Sequence, residues 1–335
     1  MKTKLFSALL SMFLIIGFSV GDSNAKDKVY NLRLQGYVPL SMIEADTNFA
    51  KNINEMSNGR IKITVYAGGE LVASSNILKA VKSGMIDIGH GTGSYFSELE
   101  IGNIEAGLPM GWQNAAEAEL LFEEMGLQDL VAAEYEKHGV HYLSALYAAP
   151  YNILSKTPLN SIDDLKDIKI RAIGAPSKML TKLGCATVYL TPEDIYLALS
   201  TGQIDGVLFG GAFEYKTMKF YEAAKYYNKT SVVNPLVDSM FINQKLWDGM
   251  PDDLKAIFNC AARQARWDHY NWVMSEEYNL METLFKDATS FSKADVEKMT
   301  AVAATVWDEE GAKSPECAKA VELVKKLNRA LGRLE

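Results

Sequence analysis

An arginine at the end of a β-strand can offer two parallel N–H groups to a carboxylate, and Arg171 stands at such a point. It follows Ile168-Lys-Ile170, an alternation that turns Ile168 and Ile170 toward a core and leaves the guanidinium where the strand ends. A solvated surface is the commoner fate of an arginine, so position alone leaves an anion anchor and a surface charge both open. The stretch Gly89-His-Gly-Thr-Gly-Ser94 is a second candidate. Its glycines let a backbone approach a ligand closely, and Thr92 and Ser94 add hydroxyl donors. It has neither the Lys-Ser/Thr of a phosphate loop nor dinucleotide spacing, so it is read as neither. The aromatics Tyr37, Tyr95, Trp112, Tyr147, Tyr151, Phe209 and Phe213 are candidate cleft walls, and each is equally a candidate for the core.

Catalytic patterns are missing. There is no Gly-x-Ser-x-Gly elbow, no paired-acid motif and no Cys-x-x-Cys. His138 and His141 form the one close histidine pair, without the acidic partner of a metalloprotease helix, so no metal and no cofactor are expected. A net charge of −8 with no basic run excludes a nucleic-acid binder. Hydrophobic residues at 48% exclude a disordered chain. Cys185, Cys260 and Cys317 are an odd set: either one disulfide, with Cys260–Cys317 as the pairing, or three buried thiols.

The elements that would hold these residues form an internal echo. Ile61–Tyr66 alternates as a strand, Asn76–Gly84 reads as a helix closed by glycine, and a strand opens at Met85. Later, Ile168–Ile173 reads as a strand, Pro192–Gly202 as a helix with a glycine stop, and Gln203–Leu208 as the next strand. Ala80-Val-Lys-Ser-Gly-Met-Ile-Asp87 aligns without a gap on Ala198-Leu-Ser-Thr-Gly-Gln-Ile-Asp205. Two distant copies predict two similar α/β lobes, since a solenoid needs at least ~3 tandem repeats. His141–Ala148 and Ser231–Val237 read as strands carrying the chain out of the first lobe near Tyr147 and back near Asn234, a hinge of two crossings. From Pro251 to about Asp287 the apolar spacing is helical, long enough to lie across both lobes. The lobes are accordingly drawn as 26–147 plus 235–277 and 148–234 plus 278–335. Loops after strands would face a cleft between them: Gly36–Pro39, Gly68–Ser75 with Ser74, Gly89–Ser94, Ala148–Asn152, the residues after Arg171, and Phe209-Gly210-Gly211.

The N-terminus reads as a secretory leader: Lys2 and Lys4, an apolar run from Leu5 to Val20, then small residues ending at Ala25, after which cleavage is expected. Removing two Lys and one Asp takes the charge from −8 to −9. No other segment approaches ~18 apolar residues, so a soluble exported protein is expected.

These residues resemble a known family, the periplasmic substrate-binding proteins of tripartite ATP-independent periplasmic (TRAP) transporters. The likeness runs through Tyr30–Leu34, Ser57–Tyr66, Leu165–Arg171 and, most specifically, Pro192-Glu-Asp-Ile-Tyr-Leu-Ala-Leu-Ser-Thr-Gly-Gln-Ile-Asp-Gly206. The resemblance implies a two-lobed periplasmic-binding-protein fold of type II kind with a long helix spanning both lobes. It implies a monomeric periplasmic receptor that closes on a small organic anion and delivers it to TRAP membrane permease subunits. It places the family's carboxylate-binding arginine on Arg171, and Tyr151, Thr92, Tyr37, Ser74, Phe209 and Gly210 around it. Where sialic acid receptors carry a second arginine and a glutamate, this chain has Tyr151 and Thr92, which suggests a small or partly apolar carboxylate, keto acid, aromatic acid or sulfonate. A sensor that signals through another receptor, and an enzyme on the same scaffold, are the alternative readings.

Overall fold

The computed structural model describes residues 28–285 and 287–334; the leader and its cleavage after Ala25 lie outside the described residues. The first stretch runs β1 (Tyr30–Gln35), α1 (Glu44–Met56), β2 (Ile61–Tyr66), α2 (Ile77–Ser83), β3 (Ile88–Gly91), α3 (Gly102–Gly107), α4 (Ala115–Glu119), α5 (Leu127–Lys137) and β4 (Val140–Tyr147). The second runs β5 (Tyr151–Ser155), β6 (Lys169–Arg171), α6 (Gly174–Lys182), β7 (Ala186–Val188), α7 (Pro192–Thr201), β8 (Gly206–Leu208), α8 (Ala212–Thr217), α9 (Phe220–Ala223) and β9 (Tyr226–Val233). Then follow β10 (Val237–Asn243), α10 (Gln244–Asp248), α11 (Asp252–Thr283), α12 (Lys293–Gly311) and α13 (Pro315–Ala330).

Two five-stranded sheets result, ordered β2-β1-β3-β10-β4 and β7-β6-β8-β5-β9. In each, the first three strands are parallel and the fourth runs antiparallel to its neighbours on both sides. The fold is two-lobed α/β. The fourth strand of each sheet, β10 or β5, is the one that follows a crossing of the chain. The crossings are Ala148–Pro150 and Asn234–Leu236, held side by side by Ala148 N donating to Leu236 O (2.9 Å) and Leu236 N to Ala149 O (3.1 Å).

The echo has a shared mechanism. Gly84 and Gly202 both end their helices at φ +77°, a conformation that costs glycine nothing. The chain then turns directly into a strand led by an aspartate. Asp87 Oδ2 accepts from Arg33 N at 2.7 Å, and Asp205 Oδ2 from Lys169 N at 2.9 Å. Each acid clips its strand to the neighbouring central strand. The strand equivalence read from sequence is corrected by one unit: Ile168–Ile173 contains β6, which corresponds to central β1, while Ile61–Tyr66 is edge strand β2 and corresponds to β7. Three residues of β7 are too few to display an alternation.

Helix α11 is 32 residues, ~48 Å at 1.5 Å per residue, and unbroken. It packs on α1 and β4 at one end and on α8 at the other. The boundary drawn at 278 needs correction. Helix α12 lies on α6 of the second lobe, but α13 returns to α3, α5 and the 120–124 turn of the first. There Asn328 Nδ2 donates to Gly111 O at 2.7 Å, and Arg333 grips Glu117 at 2.7 and 2.8 Å. The apolar face of α13 (Val321, Val324, Leu327) is buried with Trp112, Phe122 and Val131 of the first lobe. Its amphipathic pattern told of a buried face, not of which lobe would bury it. All three cysteines are free thiols; Cys185 and Cys317 are buried and Cys260 is exposed, so neither sequence alternative stands. Among the described residues, no helix is long and apolar enough to cross a membrane.

Candidate functional site

Two arginines are buried among the described residues, and they differ in what they leave unused. Arg266, on α11, spends its whole donor set inside the first lobe. Nε meets Ala145 O (3.0 Å), Nη1 meets Glu119 (2.9 Å) and Glu123 (2.6 Å), and Nη2 meets Gln128 Oε1 (3.0 Å) and Ser144 Oγ (2.8 Å). Arg171, on β6, is 0% exposed yet spends less. Nε donates to Leu190 O at 3.0 Å, Nη1 to Leu208 O at 3.2 Å, and Nη2 to the Tyr95 hydroxyl at 3.2 Å. Its carbon stands 5.3 Å from the Phe209 ring centroid. A guanidinium has five N–H groups. One on each terminal nitrogen of Arg171 is left with no neighbour except the Tyr151 hydroxyl, and these two form the pair a carboxylate takes bidentately.

Between the lobes lies a cavity of about 20 Å³, room for about one water-sized group, so the lobes are closed upon it. Its walls include Tyr37 from the loop after β1, His90 and Asp238 from the first sheet, Phe209, Gly210 and Glu214 from the second lobe, Ala148, Ala149 and Leu236 from the crossings, and His269 from α11. His90 Nδ1 pairs with Asp46 Oδ1 at 2.8 Å, and its Nε2 stands 3.6 Å from Asp238 Oδ2. Burial alone would lower the His90 pKa, but the two carboxylates more than offset it and raise it to about 10, so the ring is a cation at neutral pH. The Tyr37 hydroxyl donates to Asp238 Oδ2 at 2.8 Å. Gly36 brings strand β1 against this pair, since a Cβ there would meet Asp46 Oδ2 at 2.5 Å.

On the opposite wall, two carboxylates clamp the Gly210-Gly211 turn. Gly211 N donates to Glu214 Oε2 at 2.8 Å, and Phe213 N to Glu277 Oε1 at 2.7 Å. Burial, then the nearby Glu277, pushes Glu214 up to about 8, so it carries its proton at neutral pH. Burial also lowers His269 to about 4, with the His90 charge adding to it; that ring is neutral.

Of the residues singled out from sequence, Tyr37, Phe209 and Gly210 line the cavity. Arg171 and Tyr151 are wholly buried beside it, and the guanidinium charge offsets part of the burial that raises the Tyr151 hydroxyl. Thr92 is buried with an unpartnered hydroxyl. Ser74 stands one step back, its hydroxyl 3.4 Å from Tyr37 O. His138 faces Glu134 at 3.6 Å and His141 stacks on Trp247 at 4.1 Å, so the pair does not converge. Sequence reasoning passed over Asp46, His90, Glu214, Asp238, His269 and Glu277. Three of these left a signal. Asp46 shares spacing with Phe49, Ala50 and Ile53, Glu277 shares it with Val273 and Leu280, and Asp238 sits inside the apolar run Val237–Ile242.

A fold of two hinged α/β lobes closed over a small polar cavity, with an under-used arginine beside it, defines a solute receptor. The profile of "Bacterial extracellular solute-binding protein, family 7" matches residues 40–314, and the chain belongs to that family. It is a TRAP-type solute-binding protein. It is 29% identical over 248 residues, 72% of its own length, to a monocarboxylate 2-oxoacid-binding periplasmic protein of Nostoc sp.; the match spans 65% of that relative. It is 27% identical to the sialic acid-binding periplasmic protein of Vibrio cholerae over 74% of this chain and 77% of the other. A TRAP periplasmic solute-binding protein from Chromohalobacter salexigens, solved with (S)-(+)-2-amino-1-propanol bound, superposes with a TM-score of 0.85 at 26% identity, covering 91% of this chain and 97% of that one.

Proposed function

We propose that this chain, exported after loss of residues 1–25, captures a small organic acid between its lobes and presents it to the membrane subunits of a TRAP transporter. Arg171 holds the carboxylate. The observation that carries this reading is the pair of uncommitted N–H groups on a guanidinium that is 0% exposed. An arginine buried for structure alone spends its donors, as Arg266 does. Relatives named for a 2-oxoacid and for sialic acid support a carboxylate as the common element. The site is assembled within one chain, so a monomer suffices.

Residues 26–147 with β10 and most of α11, and residues 148–234 with α12, would move as two bodies about the crossings at 148–150 and 234–236. Thermal-shift screening of keto acids, amino acids, dicarboxylates, aromatic acids and sulfonates tests the proposal, because a ligand that closes the lobes stabilises by mass action. Expected is a rise in melting temperature with a carboxylate that is clearly smaller in Arg171→Lys at the same ligand concentration. An equal rise in both proteins would overturn the assignment.

A further inference from the structure

The cavity holds an acceptor in need of a donor as well as groups that suit an anion. Asp238 is 2% exposed, lines the cavity, and has only one of its oxygens accounted for. Oδ2 accepts from Tyr37, while Oδ1 has no hydrogen-bond partner. None of the neighbouring donors reaches Oδ1, although His90 Nε2 is itself without a hydrogen-bond partner. The Tyr37 hydroxyl proton points at Oδ2, and Nδ1 of His90 is taken by Asp46. Nε2 of His90 is 3.6 Å from Oδ2, beyond hydrogen-bond reach. A buried carboxylate oxygen without a donor is costly, and a ligand that brings one removes the cost.

The charges run the same way. Asp46 and Asp238 share the single positive charge of His90, which leaves one net negative charge on that wall. Opposite it stands the positive Arg171, joined to Asp238 through Tyr95, which accepts from Arg171, and Tyr37, whose ring stands 5.7 Å from that of Tyr95 and whose hydroxyl donates to Asp238. The site is thus a fixed dipole. Outside it, a groove of about 230 Å³ between α1 and α11 carries Glu44 and Asp268 and shares His269 with the inner cavity. Two acids in that groove favour a cation there.

We infer that the ligand is an amino acid or another zwitterion, with its carboxylate on Arg171 and its protonated amine on the free oxygen of Asp238. This deepens the organic-acid reading and rests on it. An oxoacid of the same skeleton offers Asp238 no donor, and a dicarboxylate brings a like charge toward it.

The test is titration calorimetry of the mature chain with matched pairs: L-alanine and pyruvate, L-phenylalanine and phenylpyruvate, L-glutamate and 2-oxoglutarate, with isopropylamine as an amine lacking a carboxylate. In at least one pair the amino acid is expected to bind about 10-fold or more tighter than its oxoacid, the worth of one charge-assisted hydrogen bond. Asp238→Asn should abolish that preference, weakening the amino acid and leaving the oxoacid unchanged or tighter. An oxoacid binding as well as or better than its amino acid in every pair overturns the inference, as does an equal loss for both partners in Asp238→Asn. The wild-type comparison stands even where the variant does not fold. An oxoacid preference that is lost in Arg171→Lys sinks the role of Asp238 and spares the anion reading. Binding of isopropylamine alone, lost in Asp238→Asn, spares Asp238 and sinks the zwitterion.

Discussion

Truncating Arg171 should separate two quantities that usually fall together. In Arg171→Ala, the carbonyls of Leu190 and Leu208 lose their donors inside a closed core. Each unsatisfied buried acceptor costs ~1–3 kcal/mol, so the unliganded protein should lose ~2–6 kcal/mol of stability. The ligand carboxylate loses a bidentate partner as well, worth ~2–5 kcal/mol, or a Kd raised ~30- to ~5,000-fold. Arg171→Lys divides the two. An ammonium keeps the charge and can serve one or two of the acceptors, but it has no planar fork, so affinity should fall about 10- to 100-fold with the charge intact. The assay is calorimetry with the tightest-binding acid of the screen, run beside thermal melts so that Kd refers to folded protein. If Arg171→Lys is destabilised yet binds that acid with the wild-type Kd, then Arg171 is a structural arginine like Arg266 and the reasoning from uncommitted donors fails.

Arg266→Met should lower the melting temperature, since the carbonyl of Ala145 loses its donor inside the core, worth ~1–3 kcal/mol, and the partly exposed Glu119 and Glu123 lose their partner, while ligand affinity of the folded fraction stays unchanged; a parallel loss of affinity would contradict the division of labour. Glu105 is fully buried, and burial, partly offset by donors from Ser239 and Tyr135, raises it to about 7. A carboxyl raised on folding gives stability that is complete below about 4.5 and is lost as pH climbs through about 7, here by up to about 3 kcal/mol. His90, raised to about 10, contributes stability that is complete below about 6.5 and is lost as pH rises through 10. Melts of Glu105→Gln between pH 4.5 and 7 should therefore be flatter than wild type, and an unchanged slope would refute the assignment. A maleimide should label the exposed Cys260 in the native state and reach Cys185 only on unfolding, because burial pushes the Cys185 thiol up to about 12; rapid native labelling of Cys185 would refute its burial.

The sequence disclosed the parts whose signals are local. Glycine stops at Gly84 and Gly202, the aspartates after them and the apolar spacing of α11 depend on near neighbours, so the helix ends and the long helix were legible. Arg171 was legible as a strand-end arginine, but its worth lay in hydrogen bonds to Leu190, Leu208 and Tyr95, which no spacing encodes. Strand β10 was not recognised beyond Val237. A strand buried on both faces has no alternation to display. The home of α13 was equally hidden, because an amphipathic helix reports a buried face and not its partner.

Recognition and closure draw on the same atoms. Tyr95 belongs to the first lobe, and its hydroxyl takes a hydrogen bond from Arg171 of the second. Glu310, fully buried on α12, joins Asn103 of the first lobe (3.1 Å) to Lys178 of the second (2.7 Å). The closed arrangement thus has cross-lobe contacts that need no ligand, and closure is an equilibrium that a ligand tips. Affinity then depends on the fraction already closed as much as on the ligand's own contacts. A solute that met Arg171 alone would add contacts on one side of the cleft only and would gain little from closing. One that spans from Arg171 to Asp238 ties a strand of each sheet together, and its binding energy is realised only when the lobes are shut. That is the property a transporter needs from its receptor, since the closed form then reports the presence of the right solute.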